Sequence, residues 1–258
     1  MGGFLFDEII FGPVSSRRLG ISLGVNLLPT NYKFCTFDCI YCECGWTKKA
    51  EKKIILPTQK EIEERLESVL KERVKNNLPI DSITFAGNGE PTLHPDFAEI
   101  IDDTIRLRNL YFPKAIITVL SNASLIHNTQ IIQALLKVDK NILKLDAGTE
   151  ATFQAINQPV GNLKLTEVVD YLKKFEGRLI IQTLFVQGYN QHQGIDNTTD
   201  EEVSAWLKLV QEIQPQSVIL YPIERETPEN SIYKVNIQTL EAIAKKVQET
   251  GFKTEVFS

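Results

Sequence analysis

The sequence predicts an α/β fold with a parallel sheet, and three observations predict it. From residue 58 onward, β-rich apolar runs alternate with helical patterns, as in βα units feeding a parallel sheet. The chain has 258 residues, 43% of them hydrophobic, enough to bury one full core. Every unusual polar cluster falls just after a predicted strand, where α/β folds bind ligands. The first strand is residues 21–27, leading into a cysteine loop. A charged helix over 58–75 follows, with Thr58 as N-cap and Glu61 three residues on. The second strand, 82–85, ends in Ala86-Gly-Asn-Gly-Glu90-Pro91. Further strands are predicted at 115–120, 142–145, 179–185 and 217–220, and helices at 96–110, 128–137, 164–175, 199–213 and 237–249. Residues 253–257 read as a short last strand. Six strands and six helices are too few for the closed eight-stranded barrel, leaving an open (β/α)6 barrel or a doubly wound sheet, which periodicity alone does not separate. With no Pro/Gly/Ser linker and no repeat beyond the βα alternation, residues 1–258 are expected to form one domain.

No apolar run approaches the ~20 residues of a membrane span. The start, Met1-Gly-Gly-Phe-Leu-Phe-Asp7, has no basic n-region, and Phe6 stands where a myristoylation start at Gly2 wants Ser or Thr. A cytoplasmic protein is therefore expected. The formal charge of −5 argues against a nucleic-acid substrate, since phosphate binding is driven by Lys and Arg. Arg17-Arg18, Lys48-Lys49 and Lys52-Lys53 flank the cysteine loop and could make a positive mouth; they are read as solvated surface charges.

Three of the four cysteines fall within eight residues, Cys35-Thr-Phe-Asp-Cys39-Ile-Tyr-Cys42. Grouped thiols without a secretory signal read as metal ligands rather than disulfides. Three thiolates from one loop can hold three irons of a 4Fe-4S cube and leave the fourth open to a chelating small molecule. A closed zinc site needs four ligands, usually from two separated knuckles. Cys44 could supply a fourth sulfur, but two residues past Cys42 it would have to turn back over its own loop, so it is read as a small buried neighbour. Trp46 is a candidate cover for the cluster, with a packing role as the alternative.

Cys-x3-Cys-x-aromatic-Cys near the start of a β/α chain, with Tyr41 as the aromatic, resembles the signature of the radical S-adenosylmethionine (radical SAM) superfamily. The resemblance implies a partial (β/α)6 TIM-like barrel of the radical SAM type, with the cluster loop after the first strand. It implies a 4Fe-4S cluster on Cys35, Cys39 and Cys42, whose open iron is chelated by the amino and carboxylate groups of S-adenosyl-L-methionine (SAM). An electron then breaks the sulfonium, and the resulting 5'-deoxyadenosyl radical abstracts a substrate hydrogen.

Further site residues follow from the same resemblance. Gly87, Gly89 and Glu90 resemble the family's Gly-Gly-Glu segment, which meets the SAM amino group; glycines let carbonyls approach a ligand, and a carboxylate suits an ammonium. Asn88 separates the glycines. Ser121 and Asn122 follow the third strand, and Lys144 and Asp146 end the fourth, where family members contact the SAM carboxylate and ribose. Gln182, Gln187 and Tyr221-Pro222 are weaker candidates near the ribose and adenine. His94 could touch substrate, although a helix start before Pro95 is the favoured role, and His127 and His192 are read as solvent-facing or simple hydrogen-bonders. Residues 188–197 are long for a βα loop and read either as a substrate lid or as a plain surface loop.

Phe11-Gly-Pro-Val-Ser-Ser-Arg17-Arg18-Leu-Gly20, Ser22-Leu-Gly-Val-Asn26 and Gly-Asn-Gly-Glu-Pro-Thr-Leu-His-Pro resemble a branch known loosely as Fe-S oxidoreductases, related to archaeal wyosine-base synthases. Those tRNA-modifying enzymes carry a second cluster and basic additions. Neither is present here, so tRNA is not the expected substrate, although a tRNA base-modifying enzyme remains one alternative. The other is an Fe-S electron-transfer or sensing protein with Cys44 as fourth ligand, and a zinc-stabilised interaction module is a third class. The expected reading is an oxidoreductase with an unidentified small-molecule or macromolecular substrate and a flavodoxin or ferredoxin-type electron donor.

Overall fold

The computed structural model describes residues 3–47, 54–190 and 193–257. Gly2, Lys48, Lys49, Lys52, Lys53 and His192 lie outside the described residues. Eight strands form one sheet: β1 (Ile10–Ser16), β2 (Gly20–Val25), β3 (Ser82–Phe85), β4 (Ile116–Ser121), β5 (Lys140–Lys144), β6 (Ile180–Leu184), β9 (Ser217–Tyr221) and β11 (Lys253–Val256), in that spatial order. From β2 onward every pairing is parallel, while β1 runs antiparallel to β2. The crossovers are α1 (Gln59–Lys75), α2 (Phe97–Tyr111), α3 (Thr129–Leu135), α4 (Glu150–Asn157) with α5 (Leu165–Lys173), α6 (Asp200–Ile213) and α7 (Ile237–Glu249).

Strand periodicity sorts the sheet's two faces. Leu23, Val25, Ile83, Phe85, Ile117, Val119, Leu143, Leu145, Ile181, Val218 and Leu220 join the large core with the apolar stripes of the helices. The alternate residues Ile142, Ile180 and Ile219 form a separate small cluster with Leu120 and Phe257 on the opposite face. That second face is the inside of a curl. The β1–β2 turn reaches four strands across it, where Arg18 Nη1 donates to Gln182 Oε1 on β6 at 3.1 Å, and Arg18 lies 5.4 Å from the Phe257 ring beyond β11. The two edges of an open barrel therefore face one another across a seam. By the same alternation Lys144, Gln182 and Tyr221 point inward with Ile142, Ile180 and Ile219.

Helix α1 starts as its sequence requires. Thr58 Oγ1 accepts from the Glu61 amide at 3.2 Å and the Glu61 carboxylate accepts from the Thr58 amide at 2.8 Å. Thr58→Ala removes half of this capping box, and thermal unfolding followed by circular dichroism is expected to fall by about 2–4 °C.

Three features differ from the sequence reading. β1 is a strand despite Gly12 and Pro13, because an edge strand tolerates a missing donor. α4 is only eight residues long, too short for its periodicity to stand out. The proposed lid, 188–197, is not a long irregular loop: β7 (Val186–Asn190), β8 (Gln193–Asp196) and β10 (Ile232–Lys234) form a small antiparallel sheet. Buried Asn197 roots it, accepting from the Val186 amide at 2.7 Å and donating to the carbonyls of Leu184 and Asp146.

Candidate active site

The cysteine loop leaves β2 and is fixed at both ends by backbone pairing. Before the first cysteine, Phe34 bridges to Gly89: the Phe34 amide donates to the Asn88 carbonyl at 2.8 Å, and the Glu90 amide to the Phe34 carbonyl at 3.2 Å. Beyond it, the Asp38 and Ile40 amides donate to the carbonyls of Asn157 and Ile156 at the end of α4. Gly89 has φ +141°, and a Cβ there would lie 1.9 Å from the Phe34 carbonyl oxygen. Glycine is required by that approach. Asn88, between the glycines, is a clamp: its amide side chain exchanges hydrogen bonds with the Phe6 backbone at 2.8 and 2.9 Å and donates to the Pro29 carbonyl at 2.8 Å.

These anchors put Cys35, Cys39 and Cys42 on the wall of one chamber of about 170 Å³ at the C-terminal ends of the strands. Tyr41, Gly87, Gly89, Glu90, Ser121, Asn122 and Lys144 line the same chamber, as does Gln182. N–H groups are aimed at the sulfurs: the Phe37 amide and Asn122 Nδ2 lie 3.4 and 3.5 Å from Cys35 Sγ, and Asn157 Nδ2 lies 3.5 Å from Cys39 Sγ. Such donors stabilise thiolates, and so do cations. Lys33 is one such cation, its side chain 1% exposed and its Nζ donating to Asp38 Oδ1 at 2.9 Å and the Gly45 carbonyl at 3.1 Å. Burial disfavours its charge, but Cys42, Asp38, Cys35 and Cys39 outweigh that and raise its pKa.

Burial and then the nearby Glu90 carboxylate push the free Cys35 thiol up to about 12, and burial likewise raises Cys39. Cys42 goes the other way: the hydrogen bond from Cys44, and then Lys33 beside it, draw its thiol below the ordinary range. Cys44 lines the chamber as well, and its Sγ lies 3.5 Å from the Gly87 carbonyl. Among the described residues, no three His, Cys, Asp or Glu side chains converge on one point as a single ion would need. The donor set suits an iron-sulfur group: three thiols around a shared chamber, N–H donors on their sulfurs and a buried countercharge.

Glu90 is buried and organises the adjoining wall. Its Oε1 accepts from the Thr92 amide, Thr92 Oγ1 at 2.6 Å and Ser121 Oγ at 2.8 Å, and its Oε2 from the Asn122 amide at 2.6 Å. Burial raises its pKa against those bonds. On the opposite wall Lys144 Nζ donates to the Tyr41 hydroxyl and lies 3.2 Å from Asp146 Oδ2. Burial alone would lower the Lys144 pKa; Asp146, Tyr221 and Cys39 raise it.

Several expected residues lie elsewhere. Asp146 stands behind Tyr41 and Lys144 rather than on the chamber wall: its carboxylate accepts from Tyr41 Oη, Asn157 Nδ2 and the Leu184 amide as well as pairing with Lys144. Gln187 belongs to the small sheet, donating to Asp196 and Thr198. Trp46 is 39% exposed and is not among the residues that line the cysteine chamber. His94 is buried at the start of α2, with Nε2 2.8 Å from the Pro57 carbonyl and Nδ1 accepting from the Asp96 amide. His127 is exposed against Tyr171. Lys33 and Asn157 were missed. Lys33 stands two residues before Cys35 without any spacing signal, and Asn157 is 118 residues from the cysteine it meets.

A family model described as the radical SAM superfamily matches residues 32–210, more than half of the chain. The chain belongs to the radical SAM superfamily. This radical SAM protein is 33% identical over 251 residues to a chain called GTPase Obg from Brachyspira hyodysenteriae, covering 96% of itself but 34% of that relative. It thus spans about a third of that relative's length. It is 32% identical to a UPF0026 protein of Methanocaldococcus jannaschii, covering 91% of itself and 70% of the relative. Its fold is similar to that of a radical SAM methyltransferase from Sphaerobacter thermophilus, with TM-score 0.65 over 92% of this chain and 65% of that one at 15% identity. Archaeal TYW1 matches with TM-score 0.54 over 88% and 71% of the two chains at 14% identity. The partial barrel expected from the sequence is therefore the fold of this radical SAM protein. Among the described residues, no helix is long and apolar enough to cross a membrane.

Proposed function

We propose that this radical SAM enzyme holds one 4Fe-4S cluster on Cys35, Cys39 and Cys42 and binds SAM beside it, acting on a substrate yet to be identified. The supporting observation is that the three thiols share one chamber with Gly87, Gly89, Glu90, Ser121, Asn122 and Lys144. When bound, the cluster and SAM supply a 5'-deoxyadenosyl radical that takes a hydrogen from the substrate. The protein's own part is to orient and to shield. Gly89 lets the backbone come close, Glu90 and its partners Ser121 and Asn122 meet the methionine head group, and Lys144, steadied by Tyr41 and Asp146, faces the nucleoside side. The electron donor is a flavodoxin or ferredoxin-type protein, and the protein works in the cytoplasm. Anaerobic reconstitution tests this: a brown protein whose reduced-cluster EPR signal changes on adding SAM, and which releases 5'-deoxyadenosine with dithionite. Absence of any SAM-dependent change would overturn it.

Two substitutions probe the chamber's electrostatics. Glu90→Gln replaces one acceptor oxygen by a donor facing the Ser121 or Asn122 donors, leaving a buried mismatch. SAM affinity, read from the EPR change on titration, is expected to fall at least about tenfold with iron content unchanged. Lys33→Met removes a cation beside the thiolates, so adding an electron becomes harder. The cluster midpoint potential is expected to fall by on the order of 50–100 mV in a redox titration. An unchanged potential would show that Lys33 only packs.

A further inference from the structure

The opening segment Phe11–Gly20 has no part in the reading above, yet it closes the barrel seam. Its turn projects Arg18 into a cavity of about 550 Å³, walled by Ser16, Leu184, Tyr221 and Phe257. That size suits a small ligand. The floor is shared with the cysteine chamber through Tyr41, Cys42, Gly87 and Lys144, which line both. The acids on the wall are already paired: Glu43 with Arg225 at 2.8 Å, and Glu224 with Lys234 at 2.9 Å and Arg17 at 3.9 Å. Lys144 is neutralised by Asp146. Arg18 differs. Its guanidinium donates to the neutral Gln182 amide oxygen at 3.1 Å and lies 5.8 and 5.4 Å from the Tyr221 and Phe257 rings, and no carboxylate among the described residues pairs with it. Among the described residues, one of its five N–H donors is thus engaged. Two aromatic rings and an amide hold the group in place without cancelling its charge.

We infer that Arg18 binds an anionic oxygen group of the substrate, a carboxylate or a phosphate, with the rest of the molecule extending over the shared floor toward the cysteine chamber. A guanidinium fork matches either group in bidentate fashion, and a half-buried, uncancelled one discriminates against neutral molecules. This rests on the proposed function, since it names the substrate class of the same site.

The test is calorimetric titration of the reconstituted, SAM-loaded protein with inorganic phosphate and, separately, succinate. Saturable binding of at least one probe is expected, weakened at least about tenfold in Arg18→Met and only a few-fold in Arg18→Lys. The tighter of the two probes tells phosphate from carboxylate. Arg18→Lys, which keeps the charge, guards against misfolding in Arg18→Met, and matching thermal melts check it further. Equal affinity of wild type and Arg18→Met, or no saturable binding of either probe by wild type, would overturn the inference. So would loss of the SAM-dependent EPR change in Arg18→Met with iron content intact, because Arg18 would then serve the SAM carboxylate. A wild-type protein without that EPR change instead sinks the functional reading itself, whatever the probes do.

Discussion

Replacing Cys35, Cys39 or Cys42 by Ala, one at a time, is expected to reduce reconstituted iron and sulfide to background and to abolish 5'-deoxyadenosine release. Each of these sulfurs lines the chamber, and two of them have N–H donors 3.4–3.5 Å away. Three remaining thiols, Cys44 included, cannot restore the arrangement, because Cys44 is turned toward Cys42 and the Gly87 carbonyl. Cys44→Ala is expected to keep iron content and SAM cleavage, with a modest change in the reduced-cluster EPR line shape from loss of a hydrogen bond to sulfur. If Cys44→Ala behaved like the other three, the group would be held by four sulfurs, and the space proposed for SAM would be lost.

Gly89→Ala is expected to be the most damaging substitution outside the cysteines. The backbone stands at φ +141°, and the added methyl would sit 1.9 Å from the Phe34 carbonyl oxygen, which accepts from the Glu90 amide. Relief would require parting the bridge that sets the cysteine loop against the Gly87–Glu90 segment. Strain of this type and a backbone clash together cost about 3 kcal/mol or more. Thermal unfolding of the metal-free protein should fall by about 6–12 °C. Because Glu90 positions Ser121 and Asn122, SAM binding should weaken in any protein that still reconstitutes. A melting temperature within a degree or two of wild type would show that the bridge is not a structural hinge point of the site.

Much of this was legible beforehand, for identifiable reasons. Parallel strands buried on both faces read as apolar runs, so β2 to β6 and β9 stand out, and capped helices such as α1 announce their starts. The elements that escaped notice were those whose stability is not local. β1 carries Gly12 and Pro13 and exists because β2 offers it an edge; β7 and β8 are largely polar and glycine-containing, held by Asn197 and by Val186 and Ile195 in the core. α4 is short, and its end is the surface on which the cysteine loop rests. Within the site, Cys35, Cys39 and Cys42 could be picked out because thiols at close spacing are chemically conspicuous, and Glu90 and Lys144 because they stand at strand ends where the family resemblance implies contacts to SAM. Asp146 was picked for the same reason, but the structure turns it away from the chamber to hold Tyr41 and Lys144.

The sequence by itself determined the alternating βα order, the thiol loop after the first parallel strand and the ligand-binding end of the sheet, because periodicity and residue spacing are local properties of the chain. Only the tertiary structure decided what surrounds the sulfurs: Lys33 as countercharge, Asn157 and Asn122 as donors, Asp146 as a support behind the wall, and Arg18 across the seam. Contacts such as Arg18 with Gln182 join residues 164 apart, and they come about when a curled sheet brings its first and last strands face to face. No local pattern encodes such a meeting, since it is fixed by how the whole sheet curves and by which buried polar groups must then find partners.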